Sequence, residues 1–178
     1  KFRNGDPIPE AKTDEEWMAR LKDMGFLSDI PSYDKACTIA GLVLFGIKPR
    51  RYLKQAGIRL MVFESEDIQY KALLDTVIDG PMLARRTEDE AGNSIVIDEG
   101  LIEKTASQLL PFITVESDTI DMGFRREKKW LYPLEAIREL LLNALAHRDW
   151  TRNTDIEIII YKDRLAITRP GSLPNSMT

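Results

Sequence analysis

Cysteine and histidine are almost absent from this sequence, which contains one of each in 178 residues. With Cys37 as its only thiol, the chain cannot form an internal disulfide, which is typical of a protein from a reducing compartment. Cys37 follows Ala36 in an apolar stretch, so we expect it to be a small buried side chain. Because His147 is the only histidine, a zinc site would have to use carboxylates or that distant thiol.

A long apolar run is also missing. No stretch approaches the roughly 18 residues that a membrane helix requires, and the charged start Lys1-Phe2-Arg3 is not followed by the apolar region of a signal peptide. We therefore predict a soluble, cytoplasmic protein with no membrane partner. The chain begins without an initiator methionine and stops soon after Asn175-Ser176, so we also expect a fragment of a longer protein.

Positive net charge is lacking as well. The formal charge is −4, so the chain as a whole does not have the electrostatic footprint of a nucleic-acid-binding domain. Basic clusters such as Lys48–Lys54 and Arg125–Lys129 are interpreted as solvated faces. The remaining composition, 43% hydrophobic and 30% charged, is that of an ordinary globular protein, and the length suits one domain or two small ones.

Local patterns predict alternating helices and strands. Thr13 and Glu16 have capping-box spacing and open a helix that ends near Gly25, with an apolar side of Trp17, Leu21 and Met24. The elements predicted next are a buried helix over Lys35–Phe45, a strand over Gly57–Glu64, a helix over 68–84, a strand over Ser94–Asp98, a helix over Leu101–Phe112 and a hairpin or an extended excursion over Thr114–Trp130. This order predicts an α+β fold with one mixed sheet.

We divide the chain into three regions on these patterns. Residues 1–35 are read as an N-terminal arm and helix, residues 36–130 as an intermediate α/β region, and residues 131–178 as a C-terminal helix and hairpin. Residues 36–178 are expected to form one globular unit.

The most distinctive stretch is Tyr132–Trp150, which reads Y-P-L-E-A-I-R-E-L-L-L-N-A-L-A-H-R-D-W. Pro133 suits the first position of a helix. Helical spacing gives an apolar face of Leu134, Ile137, Leu141, Ala144 and Leu145, and a separate polar ladder of Glu135, Glu139, Asn143 and His147. β-favouring sequence follows at Asp155–Tyr161 and Arg164–Thr168, before Pro170-Gly171. Polar ladders of this kind most often do nothing but face solvent, and that interpretation remains open.

Nucleotide hydrolysis is one chemistry that the ladder could support. Glu139 and Asn143 lie one helical turn apart, so the carboxylate could orient a water molecule while the amide oxygen holds Mg²⁺. The spacing alone is a weak signal, because it arises by chance in many helices.

Two other chemistries are disfavoured around the end of this helix. A metal site of Glu139, His147 and Asp149 would have a single imidazole ligand. A kinase catalytic loop at His147-Arg148-Asp149 is rejected, because the position that requires asparagine is Thr154. We expect instead that His147 makes local hydrogen bonds and that Asp149 caps the following turn. Arg148 then either marks the end of the helix or pairs with a carboxylate.

Two segments resemble a known family. Tyr132–Trp150, with the following I-E-I-I-I-Y-K-D-R-L-A-I-T-R-P-G-S-L-P, resembles the histidine-kinase/gyrase-like (GHKL) ATPase module of bacterial and archaeal transcriptional regulators. The stretch T-I-A-G-L-V-L-F-G-I-K-P-R-R-Y-L at Thr38–Leu53 resembles the segment that these regulators place between their modules. The similarity runs from about Thr13 to Thr178. The Schlafen/AlbA-type DNA-binding domain of such regulators would lie before Lys1.

The resemblance implies a fold, cofactors and residue roles. The fold would be a two-layer α/β sandwich of the Bergerat type, incomplete in this chain and preceded by a linking segment. ATP and Mg²⁺ would be the cofactors, with Glu139 as the catalytic residue that orients water and Asn143 as the Mg²⁺ ligand. The residues expected to border the nucleotide are Glu139, Asn143, His147, Arg169 and Gly171. DNA would be bound through a domain outside this chain, and a homodimer is a further expectation.

The sequence departs from the active pattern after the last strand. Arg169 stands two residues before Gly171, where an aspartate would accept a hydrogen bond from adenine, and Leu173 replaces a second glycine. The glycine-rich lid over the phosphates would lie beyond Thr178. We therefore predict a regulatory module, for effector sensing or self-association, that is inactive as an ATPase in this fragment. The alternative is a weakly hydrolysing ATP- and Mg²⁺-binding domain, in which Glu139 and Asn143 would line a concave pocket.

Overall fold

A computed structural model of the chain describes residues 13–30, 33–120 and 126–171. The chain divides into two compact units, Lys1–Gly46 and Ile47–Thr178. The arm predicted over residues 1–12 and the positions of Ser172 and Leu173 lie outside the described residues.

The first unit contains two helices and a two-stranded sheet. Helix α1 (Asp14–Asp23) begins where predicted, because the Thr13 hydroxyl accepts a hydrogen bond from the Glu16 N–H at 3.3 Å. Strands β1 (Leu27–Ile30) and β2 (Tyr33–Cys37) are antiparallel. Helix α2 (Ile39–Phe45) starts after Thr38, whose hydroxyl accepts from the Gly41 N–H at 3.1 Å. An edge-on contact between the Phe26 and Phe45 rings, 5.1 Å between centroids, lies within this unit.

Two predictions for this unit are wrong. The helix predicted over Lys35–Phe45 starts only at Ile39, because residues up to Cys37 are paired with β1. No residue of α1 is buried, and Trp17 and Met24, from its predicted apolar side, are both exposed. Cys37 is exposed rather than buried, because a two-stranded sheet has no second layer that must cover each of its side chains.

The second unit contains most of the chain. After a single 3₁₀ turn at Pro49–Arg51, its elements are β3 (Gly57–Val62), β4 (Leu74–Asp79), β5 (Arg85–Glu88), β6 (Ser94–Asp98), α3 (Leu101–Ile113), β7 (Thr114–Ile120), β8 (Arg126–Trp130), α4 (Leu134–Ala146), β9 (Ile156–Ile160) and β10 (Leu165–Thr168). Its main sheet has the strand order β10-β9-β3-β4. β3 is parallel to β9, while the β3–β4 and β9–β10 pairs are antiparallel, so the sheet is mixed.

The core of this unit lies between one face of the main sheet and helices α3 and α4. Successive side chains of a strand point to opposite faces, so Leu60 of β3 and Ile158 of β9 share the buried face, and both are fully buried. Leu109 of α3 and Leu141 of α4 pack into the same cluster. The opposite face carries a smaller cluster that includes Met61. The predicted α+β class, a mixed sheet with a layer of helices, is confirmed.

Residues 68–84 contain a strand and no helix, so the helix predicted there is wrong. Leu74–Asp79 is β4, and it pairs with β3 from Val62↔Leu74 to Gly57↔Asp79. Leu74 and Ile78 pack into the core at an even spacing, which is the period of a strand. The predicted hairpin after α3 is present as β7 and β8, which pair antiparallel.

Candidate functional site

The predicted apolar face of α4 is largely confirmed. Ile137 and Leu141 are 2% and 1% exposed, and Ala144 and Leu145 are also buried against the sheet. Leu134 was predicted on this face but is 40% exposed, because it lies in the first turn of the helix, at the edge of the packed surface. The helix is therefore fixed on the sheet by its second and later turns.

The polar ladder of α4 faces away from the core. Glu135, Glu139, Asn143 and His147 are all exposed. The Asn143 amide Nδ2 donates to Glu139 Oε1 at 3.0 Å, so the two predicted site residues bind each other. His147 is the C-cap, and its N–H donates to the Asn143 carbonyl at 3.1 Å. The Asn143 side-chain oxygen has no hydrogen-bond partner among the described residues and remains available as an acceptor.

Arg148 anchors the chain after α4. It is 4% exposed, and its guanidinium donates to the carbonyl oxygens of Gln55 and Thr154, each at 2.6 Å. The guanidinium also lies 4.3 Å from the centroid of the Trp150 ring, which is within cation–π range. Burial lowers the pKa of Arg148, although the charge of Asp155 opposes this shift. The helix ends before Arg148, as one of the two predictions stated. The hydrogen-bond partners of the Arg148 side chain are carbonyl groups rather than a carboxylate.

Asp149 organises the turn that follows. Its carboxylate accepts from the Thr151 hydroxyl at 2.6 Å and the Thr151 N–H at 3.0 Å, and from Arg152 Nε at 3.3 Å. These contacts, the Thr151 hydroxyl above all, hold the pKa of Asp149 below its usual value. The predicted capping role of Asp149 is therefore confirmed. Among the described residues no group of three histidine, cysteine or acidic side chains is placed to hold a metal ion.

The turn after β10 returns to the end of α4. The Asp149 N–H donates to the Pro170 carbonyl at 2.9 Å, and the Arg169 guanidinium donates to the His147 carbonyl. Gly171 has a φ of +134°, and a Cβ added there would lie 3.2 Å from the Arg169 guanidinium and 3.5 Å from the Asp149 side chain. His147, Arg169 and Gly171 thus come together, whereas Asn143 and Glu139 lie one and two helical turns earlier on the outer side of α4.

Glu139 and Asn143 line neither of two cavities of about 220 Å³ in the described part of the chain. The first lies between α3 and α4 and is lined in part by Arg86, Glu103 and Arg138. The second lies beside the end of β3 and includes Glu64 and Lys71. The sequence did not predict the first cavity, since neither Arg86 nor Arg138 has a distinctive spacing.

The comparisons with known proteins bear on the fold. No family model matches the chain, and no curated protein matches it. Among solved structures, the chain is similar to the DIP2311 protein from Corynebacterium diphtheriae, with 21% sequence identity and a TM-score of 0.51. The match covers 92% of this chain and 28% of that protein, so this chain spans less than a third of its structural neighbour. At this identity the likeness concerns the fold alone. No helix in the described parts of the chain has the length and apolar character to cross a membrane.

Proposed function

We propose that this chain is a regulatory module with a GHKL-like fold that neither binds adenine nucleotides productively nor hydrolyses them. It would belong to a transcriptional regulator whose DNA-binding domain lies outside this chain. One observation carries the proposal. The predicted adenine-side position is Arg169, and its guanidinium is bound to the backbone carbonyl of His147.

Adenine recognition does not fit these residues. The adenine amino group is a donor and needs an acceptor, such as a carboxylate. A guanidinium has five donors and no acceptor, so Arg169 cannot replace that carboxylate. Asp149 lies beside this turn, but its oxygens already accept from Thr151 and Arg152. A site built for a hydrogen bond that it cannot make loses most of its discrimination.

Mg²⁺ binding has only partial support. A bound Mg²⁺ usually combines one or two carboxylates with substrate phosphates and water. Asn143 offers one amide oxygen, while Glu139 accepts from the amide of Asn143 on the same exposed helix face. Such a pair one turn apart is also an ordinary stabilising contact on a helix surface. Neither of the two cavities described above includes this pair, so the pair supports the helix better than it supports catalysis.

The outer side of α4 supports a role in association. Leu140 and Leu142 are 49% and 37% exposed. Around the helix, they lie on the two sides of the polar ladder. Apolar side chains of this size at the surface are often covered by a ligand, by another part of the protein or by a second copy. We infer effector sensing or self-association as the regulatory use of this surface and its surroundings.

The proposal is tested by phosphate release from ATP with Mg²⁺, measured for the chain and for Asn143→Ala. We expect the two proteins to release phosphate at the same background rate. Glu135→Ala, on the same face of α4 but without a predicted role, is the matched control. A rate above background that falls in Asn143→Ala but not in Glu135→Ala would overturn the proposal and support the ATPase alternative.

A further inference from the structure

The cavity between α3 and α4 has apolar walls. Ile102 and Ala106 line it from α3, while Ile137 and Leu141 line it from α4. Its volume of about 220 Å³ would hold roughly seven water molecules at about 30 Å³ each. Drug-sized ligands occupy cavities of roughly 300 Å³ or more, so this cavity suits a smaller molecule such as one ring with a short side chain.

Two arginines with no partner line the same cavity. Arg86 belongs to β5 and Arg138 to α4, and neither guanidinium makes a hydrogen bond or ion pair with the described residues. The contrast with Arg85 is informative, because this neighbour in the same strand is paired with Asp98. The two guanidiniums are therefore free to bind an anion that enters between the helices.

Glu103 is the third charged residue of the lining, and it makes no ion pair with either arginine. Its Oε2 is buried and has no hydrogen-bond partner among the described residues. A Cβ added to Gly100, the N-cap of α3, would lie 2.7 Å from this oxygen, so Oε2 is directed toward the start of the helix. A carboxylate in that place is stabilised by the positive end of the helix dipole.

We propose that this cavity binds a small carboxylate with an apolar body, such as an aromatic or short aliphatic acid. The carboxylate would bind Arg86 and Arg138, since planar guanidinium groups match carboxylate geometry, and the apolar body would lie against Ile102 and Ile137. The proposal rests on the effector-sensing form of the proposed function, to which it gives a ligand class. It places the effector on the flank of α4 rather than at the polar ladder.

The test is an NMR titration of the full 178-residue chain, labelled with ¹⁵N, with phenylacetate as the probe. We expect saturable shifts in backbone signals of α3, α4 and β5, and none with phenylacetamide, the neutral analogue of the same shape. Arg138→Met should weaken phenylacetate binding by about tenfold or more. Arg51→Met, which removes an exposed guanidinium that is not in the lining, should leave the affinity unchanged. Equal binding of phenylacetamide, or no saturable shift with phenylacetate at about 10 mM, would overturn the proposal.

A second variant fills the cavity without changing its charges. Ala106→Phe places a ring between the helices, so it should abolish phenylacetate binding while both arginines remain. Unchanged binding in a folded Ala106→Phe protein would place the ligand elsewhere and overturn the proposal. The titration contains no nucleotide, so its result is separate from the phosphate-release test. If the chain does not bind phenylacetate, the carboxylate site is wrong but the proposed non-hydrolysing module still stands. If the chain hydrolyses ATP, the proposed function is wrong, and the titration alone decides whether the carboxylate site exists.

Discussion

Replacing Arg148 with methionine should destabilise the chain strongly, although no catalytic role is predicted for this residue. The substitution removes two hydrogen bonds at 2.6 Å, to the carbonyls of Gln55 and Thr154, together with the contact to the Trp150 ring. Hydrogen bonds from charged donors contribute roughly 1.5–3 kcal/mol each. Thr154 is an exposed residue, so water can replace one donor. We therefore expect a loss of about 2–4 kcal/mol in the free energy of unfolding.

Urea unfolding followed by circular dichroism measures this loss. Arg51→Met is the matched control, because Arg51 is exposed, and its unfolding free energy should stay within about 0.5 kcal/mol of the unsubstituted protein. The slope of the unfolding free energy against urea should be unchanged, which would show that the denatured state is the same. If Arg148→Met unfolds at the same urea concentration as the control, the guanidinium does not hold the end of α4 and the description of this corner is wrong.

Three further predictions concern α4 and the turns after it. Leu141→Ala should cost about 2–5 kcal/mol in unfolding free energy, whereas Leu142→Ala, at an exposed neighbouring position, should cost far less; equal losses in urea unfolding would contradict the packing of α4. The lowered pKa of Asp149 gives a stabilisation that is complete above about pH 5 and is lost as the pH falls below about 4. Asp149→Asn should remove this part of the fall in melting temperature at acid pH. An unchanged fall would show that the carboxylate is not held by Thr151. Gly171→Ala forces a side chain into a positive-φ conformation and should cost roughly 1–3 kcal/mol in thermal unfolding, and a neutral result would argue against the close turn at Asp149.

The helical period explains why the packing of α4 could be predicted from the sequence. Ile137, Leu141, Ala144 and Leu145 recur at the spacing of one helix face, and this information is contained in the short local stretch Ile137–Leu145. Glu139 and Asn143 follow the same period on the outer side, so their mutual contact was accessible from local spacing too. What spacing could not tell is whether a concave surface lies beside them.

The errors occurred where distant parts of the chain decide the structure. Leu74 and Ile78 fit one face of a helix as well as one face of a strand, and pairing with β3 selects the strand. Arg148 was predicted to end the helix or to pair with a carboxylate. Its carbonyl partner Gln55 could not be predicted, because it lies 93 residues away. Arg86 and Arg138 likewise line one cavity although they are distant in sequence, because the β5–β6 hairpin and α4 both border it. Tertiary contacts of this kind leave no local pattern in the residues that make them.

Isothermal titration calorimetry with Mg²⁺ and ATP tests the central claim most directly. The measurement should be made on this chain and on Asn143→Ala. The account predicts no saturable heat in either protein, since Arg169 cannot accept a hydrogen bond from adenine. Saturable one-site heat that disappears in Asn143→Ala would contradict the account and identify the outer face of α4 as a nucleotide site.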